Sequence, residues 1–518
     1  MALPTPKKLA FTSPTRSASA STVGLNISKM ETPPYSAYDV VSLDNTAEFV
    51  LLAADDDAEV RQLFEPVPPK VYCRRWFIVL VVFAAGFAQT TMWNFYSPIS
   101  RACKQLFGWS DPQFAWLLNA SNITFVLVGT AWPWVIDRWG LRFALTASIA
   151  LLAASALLRC VPYGGNGAVH YRWLIASMIL NGIAAPCLSL IPPVVSAAWF
   201  PLRERATATS LLVASIYFGV TSGFLIGPNV VRALDPRVLG ARNATSDDLE
   251  VARNELSYLY YAEAAATVVL LLLALVVLRS RPPTAPTRSA SEPRTAFFAG
   301  LRDLVCRGCT KKLLLFTALG SALCAPIGVY AGFSSVLDLY FADFGISAQK
   351  SAMLGCWSSL AGSVAAVLMG VLADRFAKRM KWIVLGMYFG ATVCFLWFAL
   401  LGARVLSFSI WQLYVSFIGG GMFLNGAIPL FFELVVEVTF PIGEATTAGT
   451  MMLLSNLIQV LWLLVPMDQV GTSWMAWAVA AVTPLFAGVL LPLRFSGLRR
   501  VLDHGAPGEE GEAAVVDF

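Results

Sequence analysis

Charge is scarce in this sequence. Only 13% of its 518 residues are Asp, Glu, Lys or Arg, roughly half of what a soluble protein of this length carries. Histidine is scarcer still, since His170 and His504 are the only two and both lie outside the apolar segments given below. A histidine metal cluster is therefore excluded, and a proton relay through membrane-embedded histidines is not expected.

Enzyme motifs are missing as well. The sequence has no GxSxG, HExxH or P-loop pattern, and no histidine is placed to act as a general base. Its one CxxC pair, Cys306 and Cys309, lacks the two further ligands that a zinc site needs. We predict no enzymatic activity, no resident cofactor and no nucleic-acid partner.

Apolar residues, by contrast, make up 57% of the chain, and they fall into blocks of about 20 residues, the length that crosses a bilayer as a helix. Backbone polar groups in lipid are satisfied only within helices or closed barrels. The sequence thus predicts an all-α membrane protein with twelve transmembrane helices, at 76–98, 114–135, 143–161, 172–197, 206–228, 258–278, 312–340, 351–372, 381–402, 409–437, 446–466 and 474–494. Several of these segments contain prolines, which membrane helices tolerate, namely Pro186, Pro193, Pro326 and Pro429.

These segments divide into two groups of six. We expect a disordered tail at 1–75, an N-terminal half at 76–278, a linker at 279–311, a C-terminal half at 312–494 and a second tail at 495–518. Basic residues gather beside the tails and the linker, whereas the loops at the opposite ends carry fewer, Arg159 among them. The positive-inside rule then puts the tails and the linker in the cytosol. Asn243 becomes a glycosylation candidate in the longest outer loop. The first tail carries two weak sorting patterns for adaptor proteins, at Tyr38 and at Leu51-Leu52.

Two short motifs recur about 240 residues apart. Asp137-Arg-Trp-Gly-Leu-Arg142 returns as Asp374-Arg-Phe-Ala-Lys-Arg379, and Phe200-Pro-Leu-Arg-Glu204 returns as Phe440-Pro-Ile-Gly-Glu444. Such a repeat indicates two related halves. An Asp beside Arg residues can form charge-assisted hydrogen bonds between helix ends, which suits a gate. The predicted gating residues are Asp137, Arg138, Arg142, Glu204, Asp374, Arg375, Arg379 and Glu444.

The segment from Gly370 to Arg379 resembles the loop signature of the major facilitator superfamily, and the first copy differs by having Pro133 at the leading glycine. Trp93-Asn-Phe-Tyr-Ser-Pro-Ile-Ser100 and Phe432-Glu-Leu-Val-Val-Glu437 resemble the feline leukaemia virus subgroup C receptor-related family within it. That resemblance implies alternating-access transport of a small polar molecule. The family includes a lysosomal, proton-coupled pyridoxine branch, which the sequence resembles most, and choline and haem branches.

Polar and aromatic side chains deep in the spans are the candidates for substrate contact. Trp93 matches a tryptophan that the resembled family uses against choline, although it is equally of the type found in interface belts. A tryptophan face attracts a cation with about 2 kcal/mol when both are desolvated. The full set of predicted substrate residues is Gln89, Trp93, Asn94, Tyr96, Tyr330, Ser334, Asn425, Asn456 and Gln459.

Three carboxylates are candidates for proton coupling. Glu433 and Glu437 are four residues apart and so share a helix face, where two carboxylates in low dielectric favour protonation of one of them. Asp338 is the third, and the choice between Glu433 and Asp338 stays open.

The leading hypothesis is therefore proton-coupled pyridoxine export from lysosomes, with the lipid bilayer, protons and a small solute as partners. Facilitated choline, ethanolamine or haem transport at the plasma membrane is the alternative. A membrane receptor or sensor that keeps the fold without turnover is the alternative from another class.

Overall fold

The protein consists of long helices joined by short turns. The computed structural model describes residues 70–162, 167–231, 245–291, 294–302, 310–342, 344, 346, 348–376, 379–407, 409–465 and 471–493. Each predicted span has its helix: α1 Arg74–Asn94, α2 Asp111–Val128, α3 Ala131–Arg159, α4 Gly167–Trp199, α5 Arg205–Val230, α6 Ser246–Val277, α7 Thr310–Ser335, α8 Ala348–Arg375, α9 Met380–Gly402, α10 Ile410–Thr439, α11 Glu444–Leu463 and α12 Ser473–Leu490. Short helices occupy Ser100–Phe107, Arg288–Ser291, Phe297–Arg302 and Leu337–Ala342.

Ten of the described helices are long and apolar enough to cross a membrane by length and composition. The two remaining long helices are α2, which contains Asn119 and Asn122, and α11, which contains Asn456 and Gln459. α11 packs against α2 and α4 of the N-terminal half. Most described residues of α11 are buried or half-buried, and a helix that faces protein more than lipid tolerates such polar residues.

The chain break predicted at Asp137–Arg142 is confirmed, but it is a sharp turn at one residue and not a loop of several residues. The segment α3 consists of two helical stretches, one before and one after Gly140, which meet in a kink at this residue (φ 83°, ψ 165°). A side chain other than hydrogen is strained at positive φ, so glycine lets the chain kink there without a loop. Gly129 and Thr130, which separate α2 from Ala131, keep right-handed helical φ and ψ angles, so the predicted span 114–135 continues from α2 into the first residues of α3.

Internal prolines occur within the helices, as the sequence predicts. Pro186 and Pro193 lie inside α4, Pro326 inside α7 and Pro429 inside α10. Elsewhere α1 and α5 approach closely at glycine: a Cβ added at Gly223 would lie 3.0 Å from the Thr91 carbonyl oxygen. Small residues of this kind let membrane helices pack backbone to backbone.

Each half has its own apolar core. In the C-terminal half, Phe333, Phe395, Phe398 and Phe417 pack around one another and are fully buried. The N-terminal core is built from α1, α3, α4, α5 and α6, and it also receives Ile428 and Phe432 of α10 and Ala445 and Ala448 of α11. Side chains of the C-terminal half thus enter the N-terminal core at one end of the bundle.

Candidate substrate site and gate

The repeated motifs meet at one end of the bundle. This end carries Asp137, Glu204, Asp374 and Glu444 and is called the motif end below. Asp374, near the end of α8, accepts hydrogen bonds from the backbone N–H groups of Ala206 (2.9 Å) and Thr207 (2.7 Å). These are among the first N–H groups of α5, which have no partner within their own helix. A carboxylate of the C-terminal half therefore caps a helix of the N-terminal half.

Asp137, the repeat partner of Asp374, does not cap α11 in the same way. Its Oδ2 accepts a hydrogen bond from the backbone N–H of Phe297 (2.9 Å), which belongs to the linker. Glu444, at the start of α11, is instead held by the linker residue Arg294, with Nη2 2.8 Å from Oε1 and Nε 3.2 Å from both carboxylate oxygens. By analogy with Asp374 and α5, the repeat predicts a direct contact between Asp137 and α11. The linker lies at that position instead.

The linker contacts the N-terminal half as well. Arg205 of α5 donates to the hydroxyls of Thr287 (2.7 Å) and Ser289 (3.3 Å), and a cavity of about 190 Å³ is enclosed between the linker, Asp137 and Glu444. The sequence predicted only a basic linker. The structure shows that its described part bridges the two halves.

The other predicted gating residues stay within one half or at the surface. Glu204 pairs with Arg75 of α1 at 2.8 Å, inside the N-terminal half. Arg142 donates to the carbonyl of Leu275 (3.1 Å). Arg138, Arg375 and Arg379 are exposed. The prediction of Asp–Arg contacts between helix ends is thus replaced, for Asp374 and Asp137, by contacts with backbone N–H groups.

Glu433 also joins the two halves. Its Oε1 accepts hydrogen bonds from Thr209 of α5 (2.7 Å) and Ser196 of α4 (3.3 Å), and the two hydroxyl oxygens lie 2.8 Å apart. Glu437 lies on the same helix and is buried. The contacts that define the Glu433 site therefore come from the N-terminal half, which spacing within α10 did not indicate.

The predicted substrate residues of α1 lie along its second half. Gln89 is buried and donates to the side chain of Asn181 on α4 (2.9 Å), a residue that the sequence analysis missed. Trp93 is half-buried with its ring 6.2 Å from that of Phe125 on α2. Asn94 donates back to the Thr90 carbonyl (2.9 Å). Tyr96, fully buried, turns instead to Tyr260 of α6 (2.9 Å between hydroxyls).

In the C-terminal half, Tyr330 is the centre of the predicted group. Its hydroxyl is 2.7 Å from that of Ser358 on α8, and Ser334 is one helical turn away. Gly421 of α10 leaves the room for this pair, because a Cβ there would collide with both hydroxyl groups. Asn425, one turn further along α10, is buried against Gly362 of α8.

Two further predicted substrate residues, Asn456 and Gln459, form no hydrogen bond with the Tyr330 group in the described part of the chain. Asn456 donates to the Met452 carbonyl of its own helix (2.8 Å), and Gln459 donates to the Ser335 hydroxyl (3.3 Å). The side chain of Asp338 and the residues Tyr38, Leu51, Leu52 and Asn243 lie outside the described residues.

The observed position of Arg159 differs most from the one that the sequence predicts. It was counted among the outer loop charges, but its side chain is fully buried and pairs with Glu263 of α6 at 2.9 Å. His170, expected outside the spans, lies in α4 and is buried, with its ring centroid 4.6 Å from that of Phe107. Glu263 could have been singled out from the sequence, because it is a carboxylate inside the apolar segment 258–278.

The sequence and the fold of this chain are similar to those of known proteins. The sequence profile described as the Major Facilitator Superfamily matches residues 78–463. A solute carrier family 49 member 4 homolog of Xenopus tropicalis is 32% identical over 418 residues, covering 80% of this chain and 90% of that protein. The chain belongs to the major facilitator superfamily and, within it, to solute carrier family 49.

A further relative is less similar in sequence. The human protein named choline/ethanolamine transporter FLVCR2 is 23% identical over 393 residues, covering 73% of this chain and 69% of its own. Among solved structures, the superfamily transporter FucP in its outward conformation superposes with a TM-score of 0.60 at 14% identity, covering 81% of this chain and 100% of FucP. That likeness shows the fold.

Membership of the superfamily gives the general function of this family 49 chain. It is a multi-pass membrane protein with the transporter fold of the superfamily, and such proteins are secondary transporters of small solutes.

Proposed function

We propose that this family 49 chain carries pyridoxine, or a related small amine, by proton-coupled alternating access. The observation that carries the proposal is the set of polar bridges between the halves at the motif end. Asp374 accepts a hydrogen bond from α5, linker residues donate to Asp137 and Glu444, and Glu433 accepts from Thr209. Hydrogen bonds can be exchanged for water at small net cost, so these bridges can break when this end opens.

The substrate class follows from the α1 group. Trp93 offers an aromatic face, and the neighbouring Gln89–Asn181 pair offers amide groups to a polar ring or alcohol. A ring nitrogen that accepts a proton, or a quaternary amine, is attracted by such a face. The resemblance to the pyridoxine-associated disrupted-in-renal-carcinoma-2 branch puts pyridoxine first. Choline is second, because a more distant relative is named a choline/ethanolamine transporter.

Proton coupling is assigned to Glu433. Its carboxylate accepts from two hydroxyl groups of the other half, and a charged acceptor binds hydroxyl donors about twice as strongly as a neutral one. Protonation therefore weakens this bridge and favours opening of the motif end. Glu437, on the same helix, and Asp338 are the alternative proton carriers.

The location is proposed to be the lysosomal membrane, with both termini and the motif end in the cytosol. An acidic lumen would then supply the gradient for export. The sorting patterns at Tyr38 and Leu51-Leu52 support this placement, and glycosylation of Asn243 would mark the luminal side. The plasma membrane is the alternative.

The test is uptake of radiolabelled pyridoxine and choline into cells that carry the protein at the surface, at outside pH of about 5.5 and 7.5. Acid-stimulated pyridoxine uptake supports the proposal, and Glu433→Gln is expected to abolish the stimulation. The matched control is Thr209→Ala, which removes a partner but keeps the carboxylate and is expected to keep the stimulation. Choline uptake independent of pH would favour the choline alternative. Absence of both, with surface expression verified, would favour a receptor or sensor.

A further inference from the structure

A buried ion pair lies beside the end of α1. Arg159, the last residue of α3, has a fully buried side chain, and its Nη1 is 2.9 Å from Oε2 of Glu263 on α6. The Glu263 side chain is only 11% exposed, and its Oε1 is buried without a hydrogen-bond partner in the described part of the chain. The carboxylate of Glu263 is therefore committed to Arg159.

Arg159 uses its remaining donors on other helices. Nη2 donates to the Met92 carbonyl of α1 (3.0 Å), and Nε donates to the Ser177 hydroxyl of α4 (3.0 Å). The guanidinium also lies over the Tyr96 ring, 5.3 Å from its centroid. One side chain thus ties α1, α4 and α6 to the end of α3.

The contact with Met92 has a specific effect on α1. This helix ends at Asn94, so the Met92 carbonyl is one of its last four, which have no partner within the helix. The carbonyl end of a helix carries partial negative charge, and a cation placed there is stabilising. Arg159 therefore fixes the turn of α1 that carries Trp93 and Asn94.

The same contact places a full positive charge one residue from Trp93. In a region of low dielectric, an uncompensated charge at that range repels a cation strongly. The carboxylate of Glu263 cancels that charge. From this geometry we propose that the Arg159–Glu263 pair is a positioning and specificity pair, in which Arg159 holds the Trp93 turn and Glu263 lets that turn accept a cationic substrate.

This inference rests on the proposed function in one respect, namely that Trp93 faces the transported solute. It is nevertheless testable without any substrate. A thiol introduced as Trp93→Cys can be labelled with a cationic and a neutral methanethiosulfonate reagent of similar size. The ratio of the two rates reports the electrostatic potential at position 93, and the chain with Trp93 intact corrects for the native cysteines.

The expected result is a change in that ratio. In the Trp93→Cys background, Glu263→Gln leaves Arg159 uncompensated and lowers the cationic-to-neutral rate ratio about tenfold, as one nearby charge in an intermediate dielectric gives. Adding Arg159→Gln to Glu263→Gln removes both charges and restores the ratio. Glu444→Gln, which breaks an ion pair at the motif end, is the matched control and leaves the ratio unchanged.

Removing one partner of a buried pair can prevent folding, and for this reason the double variant is part of the test. If the ratio is the same in the starting chain, in Glu263→Gln and in the double variant, the proposal is overturned. If Glu263→Gln does not fold, Glu263→Asp serves in its place, and the pair is supported only if this variant keeps the starting ratio while Arg159→Gln alone raises it. A failure of pyridoxine and choline uptake would count against the proposed function and leave the labelling result standing.

Discussion

Replacement of Asp374 by Asn is predicted to loosen the motif end. The Asp374 carboxylate accepts two backbone N–H groups of α5, at 2.9 and 2.7 Å. Hydrogen bonds to a charged group contribute about 1.5–3 kcal/mol each, and a negative charge at a helix N-terminus adds about 0.3–1 kcal/mol. The side-chain amide of Asp374→Asn would keep one oxygen acceptor and lose the charge.

We expect a net loss of about 2 kcal/mol from the closed motif end, which is roughly a 30-fold shift of the equilibrium toward opening. The assay uses a cysteine introduced as Ala448→Cys. Ala448 lies on α11 but is 1% exposed within the N-terminal core, so a thiol there reacts only when the halves separate. The labelling rate of purified protein should rise about 30-fold in Asp374→Asn, in proportion to that shift.

The matched control is Asp137→Asn, which loses a single bond to the linker and should raise the rate by less. An unchanged rate in Asp374→Asn, with the fold intact by size-exclusion chromatography, would refute the view that this carboxylate holds the halves together. A larger effect of Asp137→Asn would move the main restraint to the linker.

Three further predictions concern the same architecture. Glu433→Gln should make radiolabelled pyridoxine uptake equal at acidic and neutral outside pH, because no proton is then bound or released; persisting acid stimulation would move the proton site elsewhere. Arg294→Ala leaves Glu444 buried without its guanidinium and should destabilise the protein by about 3 kcal/mol in thermal unfolding, whereas Arg294→Ala with Glu444→Gln should recover most of this loss. Gly421→Ala forces a Cβ into the two hydroxyl groups beside it and should lower uptake and melting temperature together, while Gly386→Ala, which meets open space, should change neither.

The sequence by itself determined the number and approximate limits of the helices. Hydrophobic length is a local property, because a segment of about 20 apolar residues has few stable alternatives to a membrane helix. The repeated motifs at Asp137 and Asp374 likewise indicated the two-half organisation. Prolines such as Pro429 were correctly placed inside helices, since neighbouring helices compensate for the lost hydrogen bond.

The partners of the polar residues were decided only by the tertiary structure. Spacing along α10 associated Glu433 with Glu437, but the donors to Glu433 come from Ser196 and Thr209, more than 200 residues away in the chain. Arg159 was interpreted as a loop charge because its burial depends on where Glu263 packs.

The linker shows the same limit. Its sequence is polar and basic, yet Arg294 and Phe297 occupy the place that the repeat would assign to direct contact between Asp137 and α11. Hydrogen bonds and ion pairs are short-range and depend on three-dimensional placement. Sequence pattern therefore indicated the helices of this transporter, and the packing of distant helices decided which groups its charged side chains contact.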